Sequence, residues 1–214
     1  MKCPLCSSNQ NKLYHTDKTK EYHQCLECKL IFIPPQFYLN IQEERAHYDK
    51  HENDPSDLGY RKFLGRIFNP LLERIQPQSK GLDFGSGPGP TLSVMLEERG
   101  HSVDLFDIFY ANKPEIFDNQ YDFITSTEVA EHLYTPLQEL ERLWACIKPG
   151  GVLALMTERY PANSGDFSNW YYIRDPTHVC LFSLDSFKWL ALKWGATLSE
   201  HGNSVVIFTK KFSI

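Results

Sequence analysis

The chain has 214 residues, enough for one α/β domain with a full core plus a small appendage, and too few for two complete enzyme domains. Its 22 basic and 27 acidic residues give a formal charge of -5, so no global positive field draws in polyanions and nucleic acid is disfavoured as a partner. No apolar run approaches the roughly 18 to 20 residues that span a bilayer, and "MKCPLCSSNQ" has no signal-like apolar segment, so a soluble, cytoplasmic protein without membrane contact is expected.

Residues 1–35 read as a small metal module. Four of the six cysteines form two C-x-x-C pairs, "CPLC" (Cys3, Cys6) and "CLEC" (Cys25, Cys28), separated by 18 residues. Two thiolates two residues apart can meet one tetrahedral ion, and the intervening length suits a hairpin between two knuckles. This is metal-ligand spacing in a reducing compartment rather than a disulfide framework. Structural zinc is the expected ion, since four sulfurs close the shell and leave no position for water or substrate. His15 and His23 lie between the pairs and are expected to be solvated, and Cys146 and Cys180 stand alone in apolar surroundings. The module ends through "KLIFIPP", a strand-like run stopped by Pro34 and Pro35.

Residues 36–80 form a helical lead-in. The polar, aromatic "IQEERAHYDKHEND" and the more apolar "FLGRIFNPLLERI" predict two helices broken near "NDPSDLG".

Residues 81–214 open on "GLDFGSGPGP", a strand, a glycine turn and, from Thr91, a helix that Gly100 stops. The dinucleotide fingerprint G-x-G-x-x-G requires its third glycine at position 90, where this chain has proline. A second strand follows in "HSVDLFDIFY" and ends at Asp107, 22 residues beyond Gly85, where a carboxylate can accept both hydroxyls of a ribose. Asp104 competes but lies inside the strand pattern. Further on, "YDFITSTEVAEHL" reads as a strand passing into polar residues, and Thr135 and Gln138 form an expected capping box around Pro136. "GVLALMTE" is a buried strand opening onto the aromatic-rich loop "RYPANSGDFSNWYYIRDPTHVCLFS", whose Phe167, Trp170, Tyr171 and Tyr172 are candidates for an acceptor pocket. A helix from about 183 to 194 and strand-like runs at 196–201 and 204–210 close the chain.

On these residues, "LDFGSGPG" followed by Asp107 resembles motif I and the next acidic residue of the class I S-adenosylmethionine-dependent methyltransferases, a likeness covering roughly residues 42–210. The resemblance implies an α/β fold with a doubly wound, mostly parallel, seven-stranded Rossmann-like sheet. It also implies S-adenosylmethionine as cofactor, leaving S-adenosylhomocysteine as product, and a small-molecule acceptor. By the same resemblance Asp83 orders the glycine loop, and the backbone of Gly85, Ser86, Gly87 and Gly89 approaches the amino-acid part. Asp107 takes the ribose, Ile108 covers adenine, and Thr127 and Glu128 border the methionine part and the acceptor cavity. "RDPTHV" resembles a segment of many small-molecule enzymes of the class, making His178 the preferred general base over His132, which more often holds structure in this motif. One departure stands out. Only 13 residues separate Asp107 from Tyr121, too few for the family's usual helix and third strand, so that strand is expected to be short or missing and the hold on adenine is undefined. Two other readings stay open: an enzyme acting on ribosomal or transfer RNA with the zinc module recognising substrate, and a non-catalytic protein that binds cofactor and zinc.

Overall fold

The computed structural model describes residues 1–50, 53–161 and 163–212, so the His51–Glu52 part of the predicted polar helix and Ala162 of the aromatic loop lie outside the described residues. Two sheets organise the chain. The first is antiparallel, with β1 (Asn11–Thr16), β2 (Glu21–Cys25), β3 (Ile31–Phe32) and, from far along the chain, β8 (Cys180–Leu181), in the order β1-β2-β3-β8. The second comprises β4 (Lys80–Phe84), β5 (Ser102–Phe106), β6 (Tyr121–Thr127), β7 (Ile147–Met156), β9 (Thr197–His201) and β10 (Val205–Thr209), in the order β5-β4-β6-β7-β10-β9. β5, β4, β6 and β7 pair in parallel, whereas β10 is antiparallel to both β7 and β9.

The helices are α1 (Ile41–Tyr48), α2 (Leu58–Leu72), α3 (Thr91–Glu97), α4 (Pro136–Ala145), the short α5 (Ser164–Phe167) and α6 (Leu184–Trp194). Their apolar spacing explains the layers. Leu64, Ile67, Phe68 and Leu71 put one face of α2 against Val152, Ala154 and Met156, while Leu153 and Leu155, the alternate residues of β7, face Leu140, Leu143 and Phe187. A strand buried on both faces needs the continuous apolar run that "VLALM" supplies.

The sheet has six strands among the described residues, not the seven expected. The 13-residue connection after Asp107 holds only a 3-10 turn at Pro114–Asp118, because Pro114 and the short span leave no room for a crossover helix and a strand. Its Phe117 ring packs edge-on to Phe106 at 4.8 Å, and the Arg142 guanidinium covers its other side at 3.7 Å. The expected capping box at α4 is also absent. Thr135 is the N-cap residue, but with ψ at 65° rather than extended its side chain makes no cap bond. α6 is capped as its residues suggest, by Ser183 at one end and left-handed Gly195 at the other.

The N-terminal module shares a core with the larger sheet: Leu5, Tyr22, Leu30 and Ile33 belong to the same buried cluster as Leu153 and Phe187. β3 pairs Ile31 with Leu181 and Phe32 with Cys180, and the Ile33 amide donates to the Val179 carbonyl at 3.1 Å. Phe167 plugs the junction, fully buried with its ring against Tyr14, His15 and Tyr22. His15 and His23 are therefore half-buried rather than solvated.

Candidate functional site

Two clusters of functional groups emerge. In the N-terminal module all four cysteine sulfurs lie within 4.8 Å of one another, with Cys3–Cys28 at 3.5 Å and Cys6–Cys25 at 3.4 Å, and all four are free thiols. A zinc ion with bonds near 2.3 Å to four tetrahedral sulfurs sets them about 3.8 Å apart, which fits these distances. The knuckles repeat one device. Ser7 and Lys29, each directly after the second cysteine of its pair, turn left-handed with φ at 61° and 60°.

The second cluster lies at the carboxyl ends of β4, β5, β6 and β7, where open α/β sheets bind ligands. Gly85 follows β4 with φ at +77°, and its amide and that of Ser86 donate to the Phe106 carbonyl at the end of β5. A side chain at Gly85 would strike Val129, and one at Gly89 would lie 1.9 Å from the Asn53 carbonyl oxygen, so the segment before α2 crosses directly over the loop. Asp107 ties the loop down: its carboxylate accepts from the amides of Gly87 at 2.9 Å, Phe109 at 2.8 Å and Tyr110 at 3.1 Å. Asp83 is almost wholly buried and accepts from Ser93 Oγ at 2.9 Å and Thr125 Oγ1 at 2.8 Å, so it joins α3 to β6 instead of bonding the glycine loop. Burial pushes its carboxyl pKa upward, against those hydrogen bonds.

Ile108 is 60% exposed beside the loop. Ser86 Oγ and Thr127 Oγ1 are buried and have no hydrogen-bond partner among the described residues. Unpaired buried hydroxyls at the mouth of a glycine turn fit a polar ligand, and the close-packed glycines give its backbone contacts room.

At the end of β6 the chain turns through Glu128, a non-glycine residue with φ at 53°, whose amide donates to the Met156 carbonyl at 2.7 Å. Burial, and then the neighbouring Glu131 charge, push the Glu128 carboxyl up to about 8. Glu131, fully buried, accepts the Tyr172 hydroxyl; Glu128 Oε2 lies 3.2 Å from the same hydroxyl. His178 Nδ1 lies 2.7 Å from the Tyr172 carbonyl, and burial lowers the imidazole to about 4, so it is neutral at ordinary pH. His132 packs edge-on to His178 at 4.7 Å, with Nδ1 3.3 Å from the Thr177 carbonyl. α1 closes over them: Tyr48 meets the His132 ring at 5.4 Å, and His47 Nε2 is 3.1 Å from Asp175 Oδ2.

The structure thus brings His132, His178 and Glu128 together, and sets Asp107 and the glycine loop beside one another. Of the four aromatic residues named for an acceptor pocket, Tyr172 reaches this cluster. Phe167 is buried in the module junction, Tyr171 is 61% exposed, and Trp170 stacks on Tyr172 at 4.9 Å while lining a groove with Tyr14 and Tyr160. Sequence reasoning gave no role to Glu131 or Tyr172 as partners, because no spacing rule links positions 131 and 172. The one local signal was two carboxylates at 128 and 131 flanking a buried turn.

Comparison with known proteins agrees with this layout. Residues 57–201 match a family model described as Methyltransferase domain. The tRNA 5-carboxymethoxyuridine methyltransferase of Escherichia coli K12 is 32% identical over 120 residues, covering 44% of this chain and 46% of that protein. A ubiquinone biosynthesis O-methyltransferase of Colwellia psychrerythraea is 22% identical over 142 residues, covering 66% of this chain and 56% of that protein. The chain therefore spans about half the length of these curated relatives. An O-methyltransferase family protein from Burkholderia thailandensis shares the fold, with a TM-score of 0.53 at 14% identity, over 83% of this chain and 62% of that one.

Proposed function

We propose that this chain, which belongs to the methyltransferase domain family, is an S-adenosylmethionine-dependent methyltransferase whose acceptor is a small molecule. The observation that carries this reading is the acidic, covered wall of the site. Glu131 and Asp175 lie where the acceptor would be, α1 packs across His132 and Asp175, and a strand of phosphates meets the Asp175 carboxylate there.

S-adenosylmethionine, when bound, supplies a methyl group already activated by a sulfonium, so the protein's contribution is mainly to bind, orient and exclude water. In this reading the amides of the Gly85–Gly89 turn face the amino-acid part. Asp107 takes the ribose while holding the turn closed, and Ile108 covers adenine. Thr127 and Glu128 border the methionine part. His178, with a neutral ring and Nδ1 held by the Tyr172 carbonyl, is the group placed to accept an acceptor's proton at Nε2. The four cysteines hold structural zinc, and the module, together with β8, fixes the segment carrying His178.

A second reading, RNA as acceptor, is supported by the likeness to a tRNA methyltransferase and by one surface feature. Lys12, Lys29 and Arg159 line the groove of about 1020 Å³ beside Tyr14 and Trp170, a combination that suits stacked bases and phosphates. Asp185 and Glu200 line the same groove, and Arg159 is paired to Glu200 at 2.7 Å, which counts against it.

One assay separates the two. Protein is incubated with methyl-labelled S-adenosylmethionine and, in parallel, with unmodified bulk tRNA and a panel of small phenols, carboxylic acids and amines. Label in a small molecule with none in tRNA is expected; label in tRNA alone overturns the small-molecule reading.

A further inference from the structure

Glu131, His132 and His178 come from two segments more than 40 residues apart, yet one ligand atom from each lies within 4.8 Å of the others. The hydrogen bonds around them are oriented. A carbonyl oxygen only accepts, so Nδ1 of His178, 2.7 Å from the Tyr172 carbonyl, and Nδ1 of His132, 3.3 Å from the Thr177 carbonyl, both carry the proton. Each ring then has Nε2 as its remaining ligand atom, 3.9 Å from Glu131 Oε1 in His132 and 4.0 Å from Asp175 Oδ2 in His178. Metal-binding histidines are held in this way, the second nitrogen donating to a carbonyl that fixes tautomer and ring plane.

The carboxylate is also left wanting. Glu131 is fully buried; its Oε1 receives the Tyr172 hydroxyl, but its Oε2 has no partner among the described residues. The phenol has one proton to give, and Glu128 Oε2, 3.2 Å away, competes for it. An unpartnered carboxylate oxygen in a buried site costs more than a missing hydrogen bond on the surface.

Building on the methyltransferase reading, we infer that Glu131, His132 and His178 bind a divalent transition-metal ion, distinct from the ion of the four cysteines. Two imidazoles and one carboxylate suit zinc, iron, manganese or cobalt, and three protein ligands leave coordination positions open. An oxygen donor of the methyl acceptor, a hydroxyl or carboxylate, fits those positions. His178 then acts as a ligand of the ion rather than as the proton acceptor, and Tyr172 is a positioning residue that orients Glu131. The backbone strengthens the assembly, since the Val179 amide donates to the Glu131 carbonyl at 2.8 Å and locks the two ligand segments together.

Cobalt(II) distinguishes the two sites in one titration, because thiolate ligation gives intense near-ultraviolet charge-transfer bands and nitrogen–oxygen ligation gives only weak visible bands. Metal-free wild-type protein is expected to take two equivalents, the second without added thiolate bands. His132→Ala and His178→Ala should each take one, with the thiolate bands intact. S-adenosylmethionine affinity, measured on the same samples, reports separately on the methyltransferase reading: its loss in wild type sinks that reading, whereas its retention with a single cobalt equivalent sinks only the metal site. Should the variants not fold, proton NMR of the cobalt-loaded wild type decides. Paramagnetic shifts on the His132 and His178 rings are expected, and two unshifted rings overturn the inference.

Discussion

The cysteine module and the cluster at the end of the large sheet assemble their groups in opposite ways. In the module two knuckles, each of four consecutive residues, bring all four sulfurs together across a single hairpin, and spacing alone announces the site. The cluster collects Glu128 and Glu131 from the turn after β6, Tyr172 and His178 from a loop some 40 residues later, and a cover from α1. The two are nonetheless mechanically joined, for β3 leaves the module to pair with β8, two residues beyond His178. A local site thus supports a dispersed one, whose loop pairs with no other strand among the described residues.

The largest effect expected from breaking this arrangement comes from the metal proposed for the module. Binding of structural zinc contributes on the order of 10 kcal/mol in small modules, so Cys25→Ser, or removal of the ion by a chelator, should unfold residues 1–35 and release β8. Hydrogen exchange is the readout: the amides of Ile33 and of Leu181, which pairs with Ile31, should lose protection while those of β4 and β6 keep it. Persistent protection at Leu181 would show that the loop holds itself.

A smaller effect is expected at Gly89, where an added methyl meets the Asn53 carbonyl oxygen at 1.9 Å. Gly89→Ala should lower stability by about 1–3 kcal/mol and weaken cofactor binding, both read by thermal melts with and without S-adenosylmethionine. An unchanged melt would place the segment before α2 away from the loop. The smallest concerns one link between the regions: the Tyr160 hydroxyl donates to the Lys29 carbonyl at 2.6 Å and accepts from Gln24 Nε2 at 3.0 Å. Tyr160→Phe should cost about 1 kcal/mol in chemical denaturation; no change would mean that the aromatic packing around Phe167 carries the junction by itself.

What could be read beforehand follows the same division. The cysteine cluster, the strand–turn–helix at Gly81–Leu96 and the strand ending before Asp107 are local patterns in which each residue's neighbours in sequence are its neighbours in space. The missing third strand was legible too, since a 13-residue connection is a length constraint and needs no tertiary knowledge. The failures were those of distance. Phe167 looked like a pocket residue because it lies in an aromatic loop, and only the packing of β1 and β2 shows that it is the plug between modules. The groups beside Glu131, Tyr172 and His178, come from beyond β7 in the chain. Thr135 had the residue types of a capping box, but Pro136 and the local ψ turned its hydroxyl away from the helix amides.

The central claim is that the turn from Gly85 to Gly89, knotted by Asp107, holds S-adenosylmethionine. Calorimetric titration of wild type and Asp107→Ala with S-adenosylmethionine, and with NAD as control, tests it most directly. Saturable binding of S-adenosylmethionine by wild type, a loss of at least about tenfold, or about 1.4 kcal/mol, in Asp107→Ala, and no heat from NAD are predicted. Equal affinity in the two proteins, or binding of NAD instead, would contradict it.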